Sequence, residues 1–141
     1  MAEPQRTTTA TGRSVSDVMS DPGAVIEQSA HLAAAAYLMR HLHRPGLIVI
    51  DDDGSRRPVG SITAFDIVRA VSHASDPSEA TVADWQSPKP AFVHPGTPLR
   101  DALDLMLGGT PQPHLPVVDD DGHLVGVIDL VHIARAVREL L

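Results

Sequence analysis

In the stretch Gly60-Ser61-Ile62-Thr63-Ala64-Phe65-Asp66, a hydroxyl and a carboxylate stand three residues apart, where an apolar run gives way to helical spacing. The first backbone N–H groups of a helix lack partners and carry partial positive charge. Thr63 therefore offers a hydroxyl and nearby free N–H groups to a phosphate oxygen. Asp66, on the same helical face, offers two acceptor oxygens to a vicinal diol. Gly60 leaves room for another backbone or a ligand to come close. The same Thr/Asp spacing also describes a helix cap, in which both side chains serve the helix itself. The residues leave both readings open.

Other constellations are weaker. Asp51 to Asp53 and Asp119 to Asp121 are consecutive, unlike the alternating carboxylates of a calcium loop, and Gly54 and Gly122 after them fit hairpin turns. His41 and His43, two apart, point to different faces of a helix. No metal and no required cofactor are expected. No nucleophile stands with a base in a way the repeat described below would not already explain, so no catalysis is expected. The chain has no cysteine, which excludes disulfides and thiolate chemistry and fits a cytoplasmic protein. A net charge of -7 without a Lys/Arg cluster disfavours nucleic acid. No apolar window approaches a membrane span, and the N-terminus lacks the apolar run of a signal peptide.

The elements that must position Thr63 and Asp66 are written twice. Ser16-Asp17-Val18-Met19 is echoed by Ala83-Asp84-Trp85-Gln86, and Leu47 to Gly54 by Leu115 to Gly122. Val59 to Val71 is echoed by Val125 to Val137. Within a unit, a short extended piece (Ala24 to Ile26; Ala91 to Val93) precedes an amphipathic helix. In the second copy its stripe is Leu99, Ala102, Leu103 and Met106, opened by Thr97 as cap with Pro98 as first helical residue and stopped by Gly108-Gly109. Two apolar runs joined by the Asp/Gly turn make a hairpin, and the run Leu47 to Ile50, apolar throughout, predicts burial on both faces. A second helix (Ala64 to His73; Leu130 to Leu140) closes the unit as β-α-β-β-α.

These units predict an α+β fold: a flexible tail over 1–13, repeat 1 over 14–74, a turn-rich linker over 75–80 and repeat 2 over 81–141. A unit of roughly 60 residues is marginal alone, so the two should pack sheet to sheet as one pseudo-twofold module. Trp85 is expected to anchor the second unit. The apolar stripe running to Leu141 suggests an interface with a second copy of the chain.

This doubled pattern, with Ser16-Asp17-Val18-Met19 at its head and the complete Gly60 to Asp66 stretch near the end of the first copy, resembles the tandem cystathionine-β-synthase (CBS) domain pair, or Bateman module, standing alone. The resemblance covers about Ser14 to Val137. It implies a regulatory module, not an enzyme, that binds AMP, ADP, ATP or S-adenosylmethionine in a cleft between the repeats and signals to a partner protein. Thr63 and Asp66 would hold phosphate and ribose. It further implies that Val18, Ile26 and Ile62, with Val93 and Pro116, slot the base, that Arg44 makes a basic phosphate contact, and that the chain forms a homodimer. The second copy departs from the pattern, with Asp129 in the hydroxyl position and His132 in place of the diol acceptor, so that site should not take a phosphate in the usual way. The rival expectation is a structural or interaction module whose clefts are empty.

Overall fold

The computed structural model describes residues 13–23, 25–88, 91–108 and 114–139. The expectations for most of the tail and for Ala24, Gly109, Leu140 and Leu141 lie outside them. The described chain forms two compact units.

The first unit is continuous, falling within Gly23–Pro90. Its elements are β1 (Val25–Glu27), α1 (Leu32–Leu42), β2 (Gly46–Ile50), β3 (Pro58–Thr63), α2 (Ala64–Ser72), α3 (Val82–Trp85) and β4 (Ser87–Pro88). The sheet order is β1-β2-β3-β4, with β1 parallel to β2 and the remaining pairs antiparallel. Four consecutive alanines favour α1 intrinsically. Leu32, Ala35 and Met39 give it a buried stripe at helical spacing, and it ends at His43 in the left-handed conformation (φ 53°). Every residue of β2 is buried, as its unbroken apolar run requires.

The second unit joins residues 13–22 to the chain from Ala91 onward. It contains a 3-10 turn (Val15–Asp17), α4 (Leu99–Leu107), β5 (His114–Val118), β6 (Leu124–Asp129) and α5 (Leu130–Arg138). Here single bridges replace the outer strands: Val93 pairs with Val117 on one side and Ser20 with Val127 on the other. The two hairpins share a register. Leu47 faces Ile62 and Val49 faces Gly60, just as Leu115 faces Ile128 and Val117 faces Gly126, and both slip by a residue immediately afterwards. The turns close on Gly54 (φ 83°) and Gly122 (φ 86°), values that glycine adopts without steric cost.

The compact units are cut differently from the repeats. Val15, wholly buried, belongs to the core built by Leu99, Met106 and Leu115, while Val82, equally buried, belongs to the core of Leu32, Leu47 and Ile62. Each repeat thus contributes its leading segment to the other repeat's unit. Trp85 accordingly packs against the first unit's core rather than anchoring the second.

Two local expectations change. Helix α4 begins at Leu99 with Pro98 as its cap, and the Thr97 hydroxyl instead accepts a bond from the His94 N–H at 3.0 Å. A proline already supplies a fixed φ at the boundary, which leaves Thr97 to close the preceding turn. Of the extended piece Ala91 to Val93, only Val93 pairs.

Candidate functional site

Strand β3 delivers Thr63 to the first position before α2, in extended conformation (φ -120°, ψ 165°), so that its side chain faces the helix's own free N–H groups. The Asp66 N–H donates to Thr63 Oγ1 at 3.2 Å. In return, the Thr63 N–H (2.8 Å) and hydroxyl (3.0 Å) both donate to Asp66 Oδ2. This reciprocal capping box holds the carboxylate in one position, and Asp66 is 5% exposed. Its other oxygen, Oδ1, accepts from Arg69 Nη2 at 3.1 Å. The Arg69 guanidinium carbon also stands 5.4 Å from the centroid of the Trp85 ring, and the His73 ring lies tilted to that ring with centroids 5.6 Å apart.

The residues singled out from the sequence fall into two groups. Gly60, Ile62, Thr63 and Asp66 follow one another along β3 and into α2. Arg44 comes to the same end of the sheet, because Gly46 pairs with Thr63 and the Ala64 N–H donates to the Pro45 carbonyl at 2.8 Å. Ile26 and Ile62 are core residues of this unit. Gly60 meets a backbone: a Cβ there would stand 2.7 Å from the Ser87 carbonyl oxygen and 2.8 Å from Gln86 Oε1. Val18, Val93 and Pro116 belong to the other unit, where the Val93 N–H donates to the Pro116 carbonyl at 3.0 Å and Val18 packs on the core.

In the second copy Asp129 caps α5, accepting from the His132 N–H at 2.8 Å. His132 Nδ1 lies 3.5 Å from the same oxygen and is buried without a hydrogen-bond partner among the described residues. Where the first copy presents a hydroxyl, the second presents a carboxylate, which repels a phosphate group. The contact of Arg69 with Asp66 was not read in the sequence. Its signal was the i,i+3 spacing from Asp66 along α2.

Among the described residues, one group of potential metal ligands comes together: Asp119, Asp121 and His123, with ligand atoms within 4.8 Å. The geometry is that of a turn, in which Asp119 Oδ1 accepts from the N–H groups of Asp121 and His123, both at 2.9 Å. Among those residues, too, no helix is long and apolar enough to cross a membrane.

The model of the CBS domain matches residues 15–73 and again residues 82–139. The chain belongs to the CBS-domain family. The chain is 31% identical over 126 residues to an uncharacterised 17.7 kDa protein of Acidianus ambivalens, covering 89% of this chain and 74% of that one. The chain spans 16% of the CBS domain-containing protein CBSCBSPB1 of Arabidopsis thaliana, to which it is 36% identical over 90 residues. Among solved structures, the CBS-pair protein CBSX2 of Arabidopsis thaliana superposes with a TM-score of 0.79 at 29% identity, covering 92% of this chain and 97% of that one. CBSX2 has also been solved in complex with AMP, with a TM-score of 0.76 at 29% identity, covering 92% and 98%.

Proposed function

We propose that this CBS pair is a non-catalytic, ligand-sensing regulatory module whose first repeat binds an adenine nucleotide or adenosyl compound through Thr63 and Asp66. The observation that carries this reading is the buried Asp66 carboxylate, held beside the Thr63 hydroxyl at the N-terminus of the nine-residue helix α2. A fixed carboxylate recognises a ribose diol without first having to be ordered, and a helix start favours phosphate. The AMP complex of CBSX2 supports the ligand class. Candidate ligands are AMP, ADP, ATP and S-adenosylmethionine, with Arg44 as a further phosphate contact and Ile26 and Ile62, in the same unit, as apolar contacts to the base. The second repeat, with Asp129 and His132, is read as a degenerate site. Binding would be transmitted to a regulated partner protein in the cytoplasm by shifting a conformational equilibrium.

Helix α2 leaves Phe65 (68% exposed), Val68 (62%) and Val71 (54%) uncovered, and α5 leaves Val131 (56%). Unpartnered apolar helix faces of this kind support a homodimer. They also support the second reading, an interaction module that works without a bound nucleotide.

The test is thermal unfolding with AMP, ADP, ATP and S-adenosylmethionine, run on the native protein and on Asp66→Asn, which keeps an acceptor for the cap. A ligand present at a hundred times its dissociation constant stabilises by about 2.7 kcal/mol. That corresponds to a rise of roughly 5–10 °C in Tm for a chain of this size. The increment should shrink in Asp66→Asn. An equal increment in both proteins would remove Asp66 from the site, and no increment with any ligand would favour the interaction module.

A further inference from the structure

We infer that Arg69 is a latch on the diol-binding carboxylate: it holds Asp66 Oδ1, gives way when a ribose takes that oxygen, and so sets the affinity of the site. This rests on the reading of Asp66 as the ribose acceptor. The two oxygens of Asp66 have separate duties. Oδ2 takes both the Thr63 N–H and the Thr63 hydroxyl, so using it for a ligand would open the start of α2. Oδ1 is free of that duty and is held by Arg69 Nη2 at 3.1 Å. The Asp66 side chain is 7% exposed, so little of the carboxylate is open to an incoming diol while the guanidinium stays.

Arg69 can move at low cost. Its own side chain is 43% exposed, and the Trp85 ring, already 5.4 Å from the guanidinium carbon while the bond to Asp66 is made, can keep that contact when the bond opens. The hydroxyls of a ribose would replace the hydrogen bond Arg69 makes, leaving Arg69 to the Trp85 face and the solvent. The latch is confined to the first repeat, because the second carries Arg135 at the corresponding position but His132 in place of the carboxylate.

The test uses the full chain and two probes: adenosine, and 2′,3′-dideoxyadenosine, which lacks the diol. Both are titrated calorimetrically into the native protein, Arg69→Gln and Arg69→Lys, with Trp85 emission followed in parallel and thermal unfolding confirming that each variant is folded. Arg69→Gln should bind adenosine about two- to fivefold more tightly, the range set by loss of a partly solvated ion pair. Dideoxyadenosine affinity should not change, and Arg69→Lys should stay near the native protein. Adenosine should alter Trp85 emission in the native protein and less so in Arg69→Gln. Equal adenosine affinity in native protein and Arg69→Gln overturns the latch while leaving the nucleotide reading standing. Weaker binding by Arg69→Gln overturns it too, by making Arg69 a ligand contact. If adenosine binds none of the proteins, the reading of Asp66 falls first and the latch with it.

Discussion

The side chains most open to chemical interpretation, Thr63 and Asp66, form the helix cap that their spacing describes. They cap α2, and in doing so they fix a carboxylate oxygen at a helix start. The sequence made the cap and the diol site look like alternatives; the cap uses Asp66 Oδ2, and the proposed diol site would use Oδ1. Arg69 escaped notice because an i,i+3 acid–base pair is common on helices and carries no functional mark of its own. Other aspartates act purely on their turns. The Ser55 hydroxyl and N–H hold the Asp53 carboxyl below the ordinary aspartate range, the Ser78 hydroxyl and N–H do the same for Asp76, and the N–H groups of His123 and Asp121 for Asp119. A carboxyl whose pKa is lower folded than unfolded stabilises above the unfolded value of about 3.9 and loses that contribution as pH falls through the folded value. Carboxyl NMR titration should therefore give all three midpoints below that of unfolded aspartate. A midpoint at or above it would mean that the turn bonds do not persist in solution.

At the scale of elements, periodicity and turn residues carried most of the information. The hairpins, the stripe of α4 and the fully buried β2 were all visible as patterns of apolar residues and Asp/Gly turns. Less visible was the reason for Gly60 and Gly126, the paired glycines of β3 and β6, because nothing local announces which segment crosses them. Gln86 and Ser87 cross the first, Met19 and Ser20 the second. A methyl group at Gly60 meets the Ser87 carbonyl oxygen at 2.7 Å, a backbone atom that cannot swing aside. Gly60→Ala should cost about 2 kcal/mol in urea unfolding, within the range for overpacked sites. Gly126→Ala should cost less, since its nearest neighbour, at 2.9 Å, is the flexible Met19 sulfur, with the Ser20 carbonyl oxygen at 3.0 Å. Two equally small losses would show that both crossing segments can retreat.

For the molecule as a whole, the repeat was legible and the assignment of its pieces to cores was not. Ser14-Val15-Ser16-Asp17 and Thr81-Val82-Ala83-Asp84 are near-copies, and each could complete either hydrophobic cluster, so their exchange leaves no trace in composition or periodicity. It does leave a trace in energetics. Val15→Ala and Val82→Ala each remove a wholly buried side chain and should cost about 2 kcal/mol. In native-state hydrogen exchange, Val15→Ala should loosen α4, β5 and β6 while sparing β2 and β3, and Val82→Ala should do the reverse. If both variants loosened the repeat that contains them in sequence, the exchange of segments would be disproved. The exchange also imposes an order of events during synthesis on the ribosome. Everything in the Gly23–Pro90 unit emerges in one uninterrupted stretch, so that unit can close early. Val15, translated first, must wait for β6, and at typical elongation rates the intervening hundred or so residues take on the order of ten seconds. Through that interval, the segment that will seal the second unit stays without its core partners, within reach of whatever first meets the nascent chain.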